Sequence, residues 1–143
     1  MTDVFNKTVR SYVMSSIRKT ESKPERTVRK HLHSKGFRYR KNVRGLPGCP
    51  DLVLRKYKTV VFVNGCFWHA HQNCKYNKMP KSNRKYWIPK INRNVERDRV
   101  NQRLLKRTGW KVIVLWECKI IGSNKQKYLD DLLARLREKE LLN

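Results

Sequence analysis

Acids are scarce in this chain, 11 Asp and Glu against 35 Lys and Arg over 143 residues, so the position of each one carries information. Three stand where a carboxylate could act on a phosphate. Asp51 follows Pro50 directly and opens the first of two apolar runs that read as a hairpin. Hydrolysis of a phosphodiester assisted by a divalent cation needs carboxylates of this kind, to hold the ion against the charge that develops on the phosphate and leaving oxygen. An aspartate there can equally be a turn or strand cap. Glu25 falls in the first turn of a helix, on the face shared with Val28 and Leu32, where it can also close a capping box with Ser22. Asp98 belongs to the stripe Ile91, Val95, Asp98, Gln102, Leu105, whose spacing of four, three, four and three residues is the period of one helix face. A carboxylate aimed inward must find a partner or be neutralised, and either an arginine or an imidazole would serve.

The segment Gly65-Cys66-Phe67-Trp68-His69 sets two large aromatic rings beside a histidine in a loop. The rings read either as core or as apolar wedges that unstack a base step, which is cheapest where pairing is already faulty. In the second reading His69 lies at the nucleic-acid backbone and moves a proton, since its ordinary pKa is near neutrality. Cys66, His71, Cys74 and the distant Cys118 offer three thiolates and an imidazole, a closed tetrahedral set suited to structural zinc. On spacing alone His69 could take the place of His71, and the cysteines could be independent thiols. Thiolates in so electropositive a chain would, however, be reactive without a metal. Cys49 is left over, with no role assigned.

These residues need a scaffold. Ser22-Lys23-Pro24-Glu25 starts a helix that ends near Gly36. Residues 37–41 read as extended, and Gly45 to Pro50 as a loop of Pro/Gly turns. Strands follow at Asp51 to Leu54 and Thr59 to Val63, the second apolar throughout and so buried on both faces. Residues 64–83 are irregular. A helix of about 16–20 residues then runs to Thr108-Gly109, Lys111 to Trp116 forms another buried strand, and a last amphipathic helix carries Leu129, Leu132, Leu133 and Leu136. Strand, helix, strand implies a crossover between parallel neighbours. The class is α/β, a mixed central sheet flanked by helices. Residues 1–21 read as a basic arm that orders on a partner, and 22–143 as a single domain.

The net charge of +24 and sequence pI of about 10.5 make sense only beside a polyanion, and a nucleic acid is the default partner. Charge alone fits a non-catalytic, zinc-stabilised binder as well as an enzyme; three acids aimed at a phosphate favour the enzyme. No apolar run is long enough to span a membrane, and Met-Thr-Asp-Val-Phe lacks the apolar core of a secretory signal. The expectation is a cytoplasmic monomer in which cysteines bind metal rather than pair.

Read together, Asp3-Val4, Thr8-Val9-Arg10-Ser11, Met14, Leu46-Pro47-Gly48 with Pro50-Asp51, Gly65 to His69, Asn94-Val95-Glu96-Arg97-Asp98-Arg99, Gly109-Trp110 and Trp116-Glu117-Cys118 resemble the Vsr family of very-short-patch repair endonucleases, in order and over most of the chain. The resemblance implies a restriction-endonuclease-like core and a strand-specific DNA endonuclease. Its substrate would be a T:G mismatch left when 5-methylcytosine deaminates, nicked 5′ of the thymine, with a functional link to a DNA cytosine-5 methyltransferase. It implies that Asp51 and the Val63 carbonyl bind catalytic Mg²⁺, Glu25 through water, and that His69 transfers a proton, oriented by Asp98. It further implies wedges at Phe67, Trp68 and Met14, and structural Zn²⁺ on Cys66, His71, Cys74 and Cys118. Two departures stand out: Asn64 where the family often has histidine, and one extra residue at Gln72-Asn73 in the zinc loop. The first leaves room for another target, of restriction or homing type.

Overall fold

The structure, a computed structural model, describes residues 22–142, so the expected arm and Met14 lie outside the described residues. Helix α1 (Lys23–Ser34) begins where Ser22, extended at φ −72° and ψ 157°, turns its hydroxyl to accept the Glu25 N–H at 3.3 Å. It buries Val28 and Leu32 and ends ahead of Gly36, whose φ of +83° is the left-handed conformation that releases the chain from the helix.

A four-stranded sheet follows, in the order β1 (Arg40–Lys41), β2 (Leu52–Leu54), β3 (Thr59–Asn64) and β4 (Lys111–Trp116). The β1–β2 and β2–β3 pairs are antiparallel, the latter joined through the 3₁₀ turn Arg55–Tyr57. The β3–β4 pair is parallel, in register from Thr59 beside Lys111 to Asn64 beside Trp116. Between these two strands runs helix α2 (Arg84–Arg107), the expected crossover; a short α3 (Glu117–Ile120) and then α4 (Lys125–Leu142) complete the order.

Successive residues of β3 feed opposite faces, as a strand's two-residue period requires. Val61 joins Val28, Leu32, Ile113, Leu115 and the leucines of α4 in the larger core, whereas Val60 packs with Val53 and Leu105 of α2. The sheet is therefore covered by α1 and α4 on one side and by α2 on the other, the mixed α/β layering expected. Among the described residues no helix is long and apolar enough to cross a membrane.

Two sequence expectations need correction. Helix α2 is 24 residues long, not 16–20, because it starts at Arg84 and runs on through Pro89. The turn ahead of the proline is held by the Tyr86 and Trp87 N–H groups, both donating to the Asn83 carbonyl, and by packing of the Trp87 ring. Those contacts offset the hydrogen bond that a proline cannot make. The inward stripe is also narrower than read: Ile91 and Leu105 are buried, but Val95 is 39% exposed. Asp98 lies between the two buried residues, on the edge where the helix leaves the sheet for the loop after β3.

Candidate active site

The parallel pair β3–β4 ends at Asn64 and Trp116, and beyond those ends the chemistry-bearing residues collect. The carboxyl ends of parallel strands are where side chains from several loops converge, because each strand's outgoing connection leaves from that edge. Immediately after β3, His69, Ala70 and His71 donate backbone N–H bonds to the carbonyls of Gly65, Phe67 and Cys66. These coil the loop into a tight turn. It turns His69 toward α2 and His71 toward α3.

His69 Nδ1 lies 2.5 Å from Asp98 Oδ2, each side chain 29% exposed. The partner of Asp98 is thus an imidazole, not an arginine. With Nδ1–H held by the carboxylate, Nε2 is left as the atom that can give or take a proton. The pair lines a cleft of about 430 Å³ whose walls also include Glu25, Val63, Asn64 and Trp68. Asn64 is only 5% exposed, a buried amide at the floor.

Glu25 lines a second, smaller cavity as well, together with Asp51 and Asn42. Asp51 therefore sits behind Glu25 as seen from the cleft, within reach of hydrogen bonding between the two carboxyl groups. Its Oδ2 accepts the Val63 N–H at 2.6 Å, so the strand that frames the cleft fixes the carboxylate directly. Burial pushes the Asp51 carboxyl up from its ordinary 3.8 to about 6, against the opposing pull of the Val63 N–H, the His69 charge and the Glu25 hydrogen bond. Two carboxyl groups this close, one of them reluctant to ionise, fit a shared proton or a shared cation. Oxygen donors of this kind suit a hard divalent ion.

Asp51 is brought there by the preceding loop. Gly48 has φ +77°, and a Cβ on it would come within 3.2 Å of the Asn101 side chain and of Phe62. Only glycine allows the loop to lie this close to α2 and β3 before turning into β2. Asn42 N–H donates to the Asp51 carbonyl at 3.0 Å and closes the other side.

Cys66, His71, Cys74 and Cys118 bring their ligand atoms within 4.8 Å of one another, a group that could hold a metal ion. All three cysteines are free thiols. His71, not His69, joins them, because His69 is committed to Asp98; the His71 Nδ1 is 3.4 Å from Cys118 Sγ. Burial and the Lys119 charge hold the His71 imidazole below its ordinary pKa, keeping it neutral as a ligand must be. Burial raises the Cys66 thiol to about 12, whereas at Cys74 burial is outweighed by hydrogen bonds from Tyr76, the other two thiols and Asn77, which lower it. Three thiols and a neutral imidazole fit zinc. Trp116 stacks on His71 at 4.1 Å and 8°, and its backbone N–H donates to the Tyr128 hydroxyl, so α4 braces the cluster.

Phe67 and Trp68 are half-buried and belong to neither core cluster. They meet Trp87 in a triangle of edge-to-face contacts, 5.2 to 5.6 Å between ring centres, with Tyr86 against Trp87 at 5.0 Å. The Trp68 carbonyl accepts from Asn94 Nδ2, and Lys90 Nζ lies over the Trp68 ring. The sequence reading missed Trp87 and Lys90 and gave Asn94 no role of its own; all three lie in the first half of α2. Glu117, named there only within a motif, is a further carboxylate on the cleft wall.

A proton-transfer pair, a carboxylate pair and a cleft open to solvent, in a chain of charge +24, are what hydrolysis of a phosphodiester in a bound polyanion requires. The class they define is a nuclease. A family model described as DNA mismatch endonuclease Vsr matches residues 2–75. The type II nicking enzyme V.NmeAIP of Neisseria meningitidis is 52% identical over 120 residues, 84% of this chain and 85% of that protein. V.XorIIP of Xanthomonas oryzae, also named a type II nicking enzyme, is 42% identical over 96% of both chains. The DNA mismatch endonuclease Vsr of Escherichia coli is 38% identical over 96% of this chain and 87% of its own length. The chain belongs to the Vsr family and is a DNA endonuclease.

Proposed function

We propose that this endonuclease nicks duplex DNA on the 5′ side of the thymine in a T:G mismatch, using Mg²⁺. The observation that carries the reading is the His69–Asp98 hydrogen bond at the rim of a cleft that Glu25 and Val63 also line. Asp98 holds the ring and stabilises its protonated form, and His69 Nε2 exchanges the proton of the hydrolytic step. Asp51 and the Val63 carbonyl would hold the metal, with Glu25 reaching it through water. The carbonyl is suited to this because an extended residue points its N–H and C=O to the same side, and the Val63 N–H already meets Asp51. When bound, magnesium supplies Lewis acidity at the phosphate and a lowered pKa for water.

Selectivity rests on Phe67 and Trp68, with Met14 of the arm, inserting at a step where a T:G pair has already weakened stacking. Zinc on Cys66, His71, Cys74 and Cys118 anchors the loop that carries them. The substrate arises wherever a cytosine-5 methyltransferase has marked DNA that later deaminates, so such a methyltransferase is the functional partner. Cleavage of duplexes carrying T:G in randomised contexts, with matched controls and each strand labelled, tests this. Nicks confined to the thymine strand are expected. Two relatives are named type II nicking enzymes, which favours a second reading, a nuclease of this family with another target, and equal nicking of matched duplex would select it.

A further inference from the structure

Past the cleft, the second half of α2 carries a face with a single sign of charge. Arg99, Gln102, Arg103, Lys106 and Arg107 recur at steps of three, one, three and one, so they form one stripe along the helix. They line an open groove of about 480 Å³ to which no acid contributes. Arg99 is paired with Glu96, one turn away, while no ion pair is found for Arg103, Lys106 or Arg107 among the described residues. Like charges at these spacings cost a helix a few tenths of a kcal/mol per pair. A stripe that lowers the stability of the free protein needs a partner that offsets it.

The groove is continuous with the catalytic pair. Arg99 and Gln102 also line the neighbouring hollow, whose other walls include His69, Asp98 and Asn64. We infer that this stripe is a track for the phosphates of one DNA strand, leading away from the scissile phosphate on one side only. The inference rests on the reading that His69 and Asp98 mark that phosphate. From Asp98 to Arg107 the helix rises roughly 13 Å at 1.5 Å per residue. That matches about four base pairs at 3.4 Å each. An acidic protein segment would satisfy the charge, but it would not explain why the groove opens into the cleft.

The test uses the zinc-loaded full chain and an uncleaved duplex without magnesium, with affinity followed across a salt titration. For the triple variant Arg103→Gln, Lys106→Gln, Arg107→Gln, affinity at fixed low salt should fall at least about tenfold. The slope of log K against log salt should shrink by about 2 to 3, near 0.9 per lost phosphate contact. A matched triple on the opposite face of the sheet, Lys125→Gln, Lys127→Gln, Arg135→Gln, should lose much less. Arg103→Lys should keep the slope, and the DNA-free melting temperature of the stripe triple should hold or rise. In wild type, trimming the duplex below about four base pairs on one side of the nick should weaken binding, and the stripe variant should not notice that trimming. An unchanged slope, an equal loss in the α4 triple, or indifference of wild type to trimming on either side would overturn the track. Cleavage that survives loss of His69 and Asp98 would instead undo the reading of the cleft, while leaving the salt slopes as they are.

Discussion

Replacing Asp51 by asparagine should stabilise the protein while abolishing its activity. Burial places the folded carboxyl at about 6 against 3.8 in the unfolded chain. A carboxyl whose folded pKa is raised favours the folded state below its unfolded pKa, and that advantage is lost as pH rises through the folded value. Without magnesium, wild-type stability should therefore decline between about pH 4 and 6, and the charged Asp51 remains a burden above that. Two pKa units at 1.36 kcal/mol each set a ceiling of about 3 kcal/mol. Asparagine is isosteric, can still accept the Val63 N–H and can donate to Glu25, so much of that ceiling should be recovered. Half of it corresponds to a rise in Tm of roughly 5 °C for a domain of this size. Thermal melts of zinc-loaded wild type and Asp51→Asn from pH 4 to 8 would read this directly. The difference should be small at pH 4 and full at pH 7. Added magnesium should narrow it by raising the wild type alone, by about 2.7 kcal/mol at a hundredfold excess over Kd. An asparagine variant that is less stable at pH 7, or equally favoured at every pH, would refute the argument that burial of this carboxyl is what the metal relieves.

Asp98→Asn should leave DNA binding intact and lower single-turnover nicking by about 10² to 10⁴, the usual share of positioned proton transfer. An effect below threefold would remove the pair from the mechanism. Cys118→Ser should release the metal, measured as zinc per chain, and lower Tm, since the site joins the ends of β3 and β4. A wild type that folds equally well with no metal would contradict this. Phe67→Ala with Trp68→Ala should reduce the ratio of T:G to matched cleavage at least tenfold, with some loss of stability because both rings pack on Trp87. An unchanged ratio would retire the wedge.

Local pattern was enough to find the elements. Ser22 capped α1, the run Thr59 to Val63 made β3, and the leucines of the last helix became core, because each depends on neighbours within a turn or a strand. The choice between His69 and His71 was not legible from spacing. It is decided by Cys118 and Asp98, which reach the loop from elements 47 and 29 residues away. The Glu25–Asp51 approach was equally hidden, since it needs α1 packed across the head of β2. The length of α2 was read short: the helix runs on through Pro89, a local breaker overruled by the aromatic packing of Trp87. Met14 and the rest of the arm lie outside the described residues.

The loop between Cys66 and His71 contains only four residues, Phe67 to Ala70, and a metal held by the cluster would stake it at both ends. So short a tether would leave little slack, and the rings and the imidazole would then travel together. A ring that cannot seat itself would pull His69 off its mark, and a well-formed base pair would be spared at the moment of bond breaking even after the enzyme had landed on it. Fidelity would then be a matter of mechanics, enforced by a metal ion that never touches the substrate.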